Sequence, residues 1–223
     1  MSFSIEQNVK NILASLPPHV QLVAAAKTRS AEEVEEAMRG GITQLGYNYV
    51  QEAGTIQKII GHKGTWHLIG HLQRNKAKKA VELFDMIQTI DSVKLAEAVN
   101  RHCEASGKVM PILLEVNSGE ESNKTGVFPK NVAALAEEIC HFNNLKIQGL
   151  MTMAPWLPNA EETRPFFRAT KAVFDRIAQK NLPNVEMRFL SMGMSHSYQV
   201  AIEEGANIVR IGTRLFGERE KSA

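Results

Sequence analysis

Two stretches near the end of the chain decide its fold, "RFLSMGMSHS" at residues 188–197 and "NIVRIGT" at residues 207–213. Each begins as an apolar, strand-like run and stops in small or hydroxyl residues: Ser191, Gly193, Ser195, Gly212 and Thr213. Small residues expose main-chain N–H groups to a ligand, and hydroxyls add further hydrogen-bond donors. Either ending alone is equally typical of a strand that runs into a turn. The two together favour an anion site.

The rest of the chain repeats the same alternation of apolar strand and amphipathic helix. The predicted strands are 20–27, 43–48, 65–70, 85–91, 110–117, 147–153, 186–192 and 207–212. Eight such units in about two hundred residues favour an α/β fold of the closed (β/α)8 TIM type over an open doubly wound sheet. In such a barrel function lies at the C-terminal ends of the strands, and phosphate commonly binds after strands seven and eight.

Local signals place the helices between these strands. Ser30 with Glu33 forms a capping-box pattern, and Asn159 opens the sixth helix unless Pro165 moves its start to Arg164. An additional amphipathic helix at residues 5–14 precedes the first strand, and we expect it to cover the bottom of the barrel. No linker or low-complexity tract interrupts the pattern, so residues 1–223 are predicted to form a single domain.

Composition narrows the choice of partners and compartment. The chain is 43% hydrophobic and 22% charged with a formal net charge of +2, so no global field attracts nucleic acid or an anionic membrane. It has neither a signal-peptide pattern nor an apolar stretch long enough to cross a bilayer, which indicates a cytoplasmic protein. Cys103 and Cys140 are expected to be free, packed thiols. No cysteine and histidine cluster suggests a metal site.

Lys27 ends the small, apolar first strand "LVAAAKT" at residues 22–28. An ammonium group at this place has to reach solvent, meet an anion or lose its proton. The functional alternative is a lysine that forms a Schiff base, whose amine becomes nucleophilic when its pKa is depressed. From its spacing alone, a lysine that reaches solvent fits equally well.

Arg210 lies within the eighth strand, two residues before Gly212 and therefore on the same side of the strand. A guanidinium inside a closed barrel needs a partner because it cannot lose its charge. That partner is either a core carboxylate, such as Glu115 or Asp91, or the ring nitrogen of a ligand. His67, in the third strand, is predicted to be an ordinary core histidine rather than a metal ligand.

These residues resemble those of the pyridoxal-phosphate homeostasis proteins, single-domain relatives of the alanine racemase barrel that are also described as the proline-synthase co-transcribed family. The resemblance covers nearly the whole chain. It rests on the motifs "LVAAAKT", "LGYNYVQEA", "WHLIGHLQRNK", "QTIDS", "LLEVNSGEESNKTGV", "IQGLMTMAP" and "LSMGMSHSYQVAIEEGANIVRIGTRLFG".

The resemblance implies a cofactor, pyridoxal 5′-phosphate, held as a Schiff base on Lys27. It implies that the serine-rich end of strand seven and the end of strand eight hold the phosphate, through Ser191, Ser195, Gly212 and Thr213. It places Arg210 at the pyridine nitrogen. Two further residues are implied near the cofactor ring, Asn48 and Met151.

Two departures from the family pattern concern the rim of the site. Tyr47 stands where the second-strand motif usually carries glutamate, and His196 and Ser197 stand where an acidic pair commonly follows "SMGMS". The departures leave the lysine and the phosphate-binding residues in place. They make the mouth more positive and more aromatic than is usual in the family.

The resemblance implies a non-catalytic protein that holds and releases pyridoxal phosphate, with apo enzymes that use the cofactor as possible recipients. The alternative is a racemase-like enzyme, for which Tyr47 would bring a phenol to the mouth. We expect the carrier because racemisation needs a base on each face of the substrate, and a barrel that fills the chain leaves no second domain to supply one. We also expect a monomer. A Schiff-base aldolase for a phosphorylated sugar would use the same lysine and anion site.

Overall fold

The computed structural model describes residues 4–218 as a closed barrel of eight parallel strands in sequential order. The strands are β1 (Gln21–Ala25), β2 (Gln44–Tyr47), β3 (Thr65–Leu68), β4 (Met86–Ile90), β5 (Met110–Val116), β6 (Leu145–Thr152), β7 (Val185–Ser191) and β8 (Ile208–Ile211). β1 pairs with both β2 and β8, which closes the barrel. The predicted (β/α)8 fold is confirmed, and the open doubly wound sheet is excluded.

A helix follows each strand, and one more precedes β1. The helices are α1 (Ile5–Ser15), α2 (Ala31–Arg39), α3 (Val50–Ile60), α4 (Ala77–Leu83), α5 (Val93–Ala105), α6 (Val132–Ile139), α7 (Arg164–Ala178), α8 (Tyr198–Glu203) and α9 (Thr213–Phe216). The helices after β7 and β8 are shorter than the others that follow strands, at six and four residues. Long loops after β5 and β6 build up one side of the barrel mouth.

The local signals act largely as the sequence predicts. Ser30 accepts a hydrogen bond from the Glu33 backbone N–H while the Glu33 carboxylate accepts one from the Ser30 backbone, so the capping box is complete. α7 begins at Arg164, as Pro165 requires, and a short 3-10 turn that Asn159 caps precedes it.

The expected position of α1 is wrong. This helix packs on the outside of the barrel against α2 and α9 instead of covering the bottom. Val9 of α1 lies against Gly40 at the end of α2, and the Asn8 amide donates to the Leu215 carbonyl of α9 at 3.1 Å. Because α9 has only four residues, α1 supplies apolar surface that a longer last helix would otherwise bring to the outer layer.

The two cysteines and His67 are core residues. Cys103 and Cys140 are buried free thiols, as predicted. His67 is buried at 3% exposure inside the barrel, and burial lowers its pKa to about 4, so it is a neutral core histidine. Within residues 4–218, every helix is too short or too polar to cross a membrane.

Candidate functional site

A cavity of about 330 Å³ opens at the C-terminal ends of β1, β6, β7 and β8. Five of the residues singled out from the sequence line it: Lys27, Ser195, Arg210, Gly212 and Thr213. They come from three separate parts of the chain and meet only because β1 lies beside β8, and β8 beside β7, in the closed barrel. The closed barrel therefore brings these five residues together at one cavity.

The charge of this cavity is one-sided. Its lining includes the basic residues Lys27, Arg29 and Arg210 together with His196, and among the residues that the structure describes it includes no aspartate or glutamate. Arg29 is partly engaged, since it pairs with Glu33 at 3.0 Å and donates to the Gly217 carbonyl at 2.6 Å. A partly enclosed pocket with cations and no carboxylates is suited to an anionic ligand.

Lys27 lies two residues beyond the end of β1 and is half-buried. The next residue, Thr28, has a backbone φ of 64°, a left-handed conformation that is rare for a β-branched residue. Its N–H donates to the carboxylate of Glu52 in α3, which fixes the turn. The Tyr49 ring lies 5.3 Å from Lys27 Nζ. The chain therefore holds Lys27 at the mouth by a constrained turn.

Arg210 is almost completely buried, at 3% exposure, and reaches the floor of the cavity. Its guanidinium donates to Ser191 Oγ at 2.7 Å and to the Thr152 carbonyl at 2.8 Å. No direct ion pair joins it to Glu115, Asp91 or any other carboxylate within residues 4–218, and the buried Glu115 carboxylate acts on the guanidinium only at longer range. Desolvation lowers its pKa to about 10, which leaves it charged at neutral pH.

Three of the residues implied near the cofactor lie outside the lining of this cavity. Ser191 is fully buried beneath it, where its hydroxyl contacts Arg210 and Gln88. Met151 is also fully buried and pairs with Ser191 across β6 and β7. Asn48 lines a neighbouring cavity together with Tyr49 and other residues of the β2 and β3 loops.

The small residues after β7 and β8 have two separate reasons. Gly193 has a φ of 91°, and a Cβ there would lie 2.6 Å from Ala201 Cβ, so close packing of α8 requires glycine. Ser195 instead faces the cavity and accepts a hydrogen bond from the Gly212 N–H at 3.3 Å, which ties the two strand ends together. Packing against α8 therefore explains Gly193, whereas Ser195 and Gly212 lie in the lining of the cavity.

Tyr47 does not reach the mouth, contrary to the expectation that it would bring a phenol there. Its side chain is fully buried and stacks on Trp66 with the ring centroids 5.3 Å apart. Burial, with a smaller contribution from the Glu52 carboxylate, raises its pKa well above the usual value. The phenol that does lie beside Lys27 belongs to Tyr49, which is 55% exposed.

Sequence reasoning missed several residues of the site. Arg29 and the loop 154–157 after β6, which includes the exposed Trp156, line the cavity. Gln88 supports Ser191 from the far side of the barrel. Arg29 could have been found because, like Lys27, it closely follows β1. Gln88 gave no signal, since only the closed barrel brings β4 opposite β7.

The fold and the site together define a class: (β/α)8 barrels with a cationic cavity at the mouth beside a lysine from the end of the first strand. Residues 3–220 match the family described as "Alanine racemase, N-terminal domain". The chain is 41% identical over 203 residues to the pyridoxal phosphate homeostasis protein of Aquifex aeolicus, covering 90% of this chain and 87% of that protein. It is 34% identical over 213 residues to the Escherichia coli protein of the same name, covering 92% and 88%.

Solved structures agree with this match. PipY of Synechococcus elongatus, solved with pyridoxal phosphate bound, superposes with a TM-score of 0.88 at 35% identity, covering 96% of this chain and all of PipY. The chain belongs to the pyridoxal phosphate homeostasis protein family. An alanine racemase from Clostridium difficile superposes with a TM-score of 0.78 at 15% identity, which shows a shared fold alone. The superposition covers 98% of this chain and 57% of the racemase chain.

Proposed function

We propose that this protein binds pyridoxal 5′-phosphate through Lys27 and takes part in pyridoxal phosphate homeostasis by holding and releasing the cofactor. The observation that carries the proposal is the meeting of Lys27 and the buried Arg210, which has only neutral hydrogen-bond partners among residues 4–218, in one cavity whose described lining has no carboxylate. Family membership and the bound cofactor in PipY support it.

Each reactive or charged group of this cofactor has a residue in the site that would contact it. Pyridoxal phosphate supplies an aldehyde that an amine binds covalently and reversibly, together with a phosphate and a pyridine nitrogen. The Lys27 amine would take the aldehyde. The Ser195 hydroxyl and the main chain at Gly212 and Thr213 would hold the phosphate, with Arg29 adding positive charge. Because α8 and α9 are short, these direct donors matter more than a helix dipole.

Arg210 would contact the pyridine nitrogen. A guanidinium that stays charged keeps that nitrogen from binding a proton, which weakens the ring as an acceptor of electrons. Ser191 and Met151 would then support the site from beneath, and Asn48 from the neighbouring cavity. This electrostatic arrangement favours storage of the cofactor over chemistry that builds up negative charge on the ring.

The mouth of the barrel fits exchange of the cofactor. Lys27 is half-buried rather than enclosed, and Trp156, at 77% exposure, lies at the rim. An apo enzyme that needs pyridoxal phosphate is the natural recipient. We place this exchange in the cytoplasm, with the protein acting as a monomer. The two free cysteines and the absence of a long apolar helix among residues 4–218 support the cytoplasmic assignment.

The test is a titration of the purified apo protein with pyridoxal phosphate, followed by absorbance. The wild-type protein and a Lys63→Met control, which removes an exposed lysine far from the cavity, should develop the same visible band. Lys27→Met should develop none and bind the cofactor at least tenfold more weakly, about the loss expected when a positioned covalent contact is removed. An identical titration in Lys27→Met would contradict the proposal.

Amino-acid racemisation is the second candidate function, and the position of Tyr49 beside Lys27 is the observation that favours it. A phenol and an amine on one cofactor could serve as a pair of bases. Racemisation of alanine by the loaded protein, lost in Tyr49→Phe with cofactor binding retained, would establish an enzyme. The carrier account expects no turnover by either protein.

A further inference from the structure

A chain of hydrogen bonds runs across the interior of the barrel behind the cavity. Ser191 Oγ on β7 contacts Gln88 Oε1 on β4 at 2.7 Å, and Gln88 Nε2 contacts His67 Nδ1 on β3 at 2.8 Å. At the other end Ser191 Oγ contacts Arg210 on β8. β4 and β7 are not neighbours in the sheet, so the central hydrogen bond spans the barrel.

Arg210 at one end and the orientation of the Gln88 amide in the middle together set the direction of each hydrogen bond in this series. A guanidinium only donates, so the Ser191 oxygen accepts and its proton is free to go to Gln88 Oε1. The amide nitrogen of Gln88 then donates to His67 Nδ1, which leaves the imidazole proton on Nε2. That nitrogen is buried and has no partner among residues 4–218. A core histidine serving only packing would not need to be fixed in this tautomer.

This series of hydrogen bonds also leaves the positive charge of Arg210 available to a ligand. The three supporting side chains are neutral, because burial holds the pKa of His67 at about 4. A carboxylate in the place of Gln88 would bring a negative charge within one hydroxyl group of the guanidinium and offset its charge. The Thr152 carbonyl supplies a second neutral acceptor at 2.8 Å, on a different nitrogen of the same group. Two acceptors fix both the position and the plane of the guanidinium.

We propose that Ser191, Gln88 and His67 are positioning residues that hold the Arg210 guanidinium toward the cavity, and that this support gives the site its selectivity for a ligand with a ring nitrogen. The inference rests on the proposed function, since it names what Arg210 recognises. Ser191 accordingly acts through Arg210 and lies beneath the phosphate site.

Selectivity for the nitrogen is measured with two ligands, pyridoxal phosphate and its 1-deaza analogue, in which a C–H replaces the pyridine nitrogen. Wild-type protein should prefer pyridoxal phosphate. Gln88→Leu removes the acceptor for Ser191 and should lower that preference on the order of tenfold, the loss expected when a buried donor is left unpaired. Thr89→Val is the matched control, because Thr89 is buried on the same strand and its hydroxyl, among residues 4–218, bonds only to the Gly70 carbonyl.

The second readout needs no cofactor. The Arg210 side-chain N–H signals in the ¹⁵N NMR spectrum of the apo protein, identified by their loss in Arg210→Lys, should shift or broaden in Gln88→Leu and stay unchanged in Thr89→Val. Ser191→Ala should reproduce the Gln88→Leu result and serves if Gln88→Leu does not fold.

The outcomes separate the inference from the proposed function. Unchanged Arg210 signals together with an unchanged ligand preference in both variants would overturn the inference. Equal binding of the two ligands by the wild-type protein would overturn the selectivity that it claims. If the wild-type protein bound no pyridoxal phosphate, the proposed function would fail, and the apo spectra would still decide whether the hydrogen-bonded chain orients Arg210.

Discussion

Arg210 carries a charge that the barrel buries without a direct ion pair among residues 4–218, and the nearby Glu115 carboxylate only partly opposes its desolvation. Its desolvation is unfavourable for the fold, as the lowered pKa of about 10 reflects. The hydrogen bonds to two neutral acceptors compensate for this desolvation only in part. Replacing buried charged groups by apolar side chains of similar volume is often neutral or stabilising for a fold. The residue is therefore better explained by a ligand than by the stability of the apo protein.

Arg210→Met separates these two roles. We expect the thermal midpoint of the apo protein to stay the same or rise, since the variant removes a desolvated charge and keeps the volume filled. Binding of pyridoxal phosphate should weaken by on the order of tenfold or more. Thermal unfolding of the apo protein and a cofactor titration check the two halves. A clear fall in the midpoint with unchanged binding would show that Arg210 is structural.

His67 makes the stability depend on pH. Its pKa is about 4 in the folded protein and 6.5 when unperturbed, so between these values the unfolded chain binds more protons than the folded one. The stabilising contribution is complete above pH 6.5 and is lost as the pH falls toward 4. From pH 7 to pH 5 this histidine should lower the free energy of unfolding by about 2 kcal/mol.

Urea unfolding at the two pH values checks this expectation. His67→Gln removes the titrating group and keeps an oxygen that can accept from Gln88, so its pH dependence should be smaller than that of the wild-type protein by the same amount. An equal pH dependence in both proteins would mean that His67 does not titrate in this way.

At the scale of elements, β6 is irregular at Gly149: it carries one extra residue, a bulge, against β5, and its register against β7 also shifts there. The register between β6 and β7 shifts between Ile147 and Gly149, where Gly149 has a φ of 149°. A Cβ at this position would lie 1.8 Å from the Phe189 carbonyl oxygen. Because the clash involves backbone of the neighbouring strand, a side-chain rotation cannot relieve it.

Gly149→Ala should therefore destabilise the protein by roughly 3 kcal/mol or more, through strain in the β6–β7 pairing. Gly107→Ala just after α5 is the control, since Gly107 also has a positive φ, of 64°, but no atom within 4 Å of the added Cβ. It should cost only about 1 kcal/mol. Similar losses in the two variants, measured by urea unfolding, would contradict this reading of the bulge.

The elements themselves could be predicted from the sequence because their signals are local. Alternating apolar runs identified all eight strands, and the Ser30 capping box and Pro165 located helix starts within one or two residues. The placement of α1 could not be predicted, since it depends on the shortness of α9. The expectation that Tyr47 lies at the mouth was likewise wrong. Its position in the chain does not say which face of β2 its side chain occupies.

The same distinction applies to the site. Lys27, Ser195 and Gly212 could be identified because strand ends share one side of any parallel barrel. The hydrogen-bonded support of Arg210 could not, because it joins residues more than a hundred positions apart, Gln88 and Ser191, across the barrel interior. That contact exists only once the sheet has closed.

At the scale of the whole molecule, the closed barrel brings the end of the first strand against the ends of the last two. This closure places a lysine from near the start of the chain beside Arg210 and the small and hydroxyl residues from near its end. The central claim is that this arrangement binds pyridoxal phosphate covalently at Lys27.

The most direct test is the visible spectrum of the protein loaded with pyridoxal phosphate, recorded before and after borohydride, with the reduced adduct located by peptide mass. The account predicts a yellow protein that reduction bleaches, with the adduct on the peptide that contains Lys27. A protein that stays colourless with added pyridoxal phosphate, or an adduct on a different lysine, would contradict it.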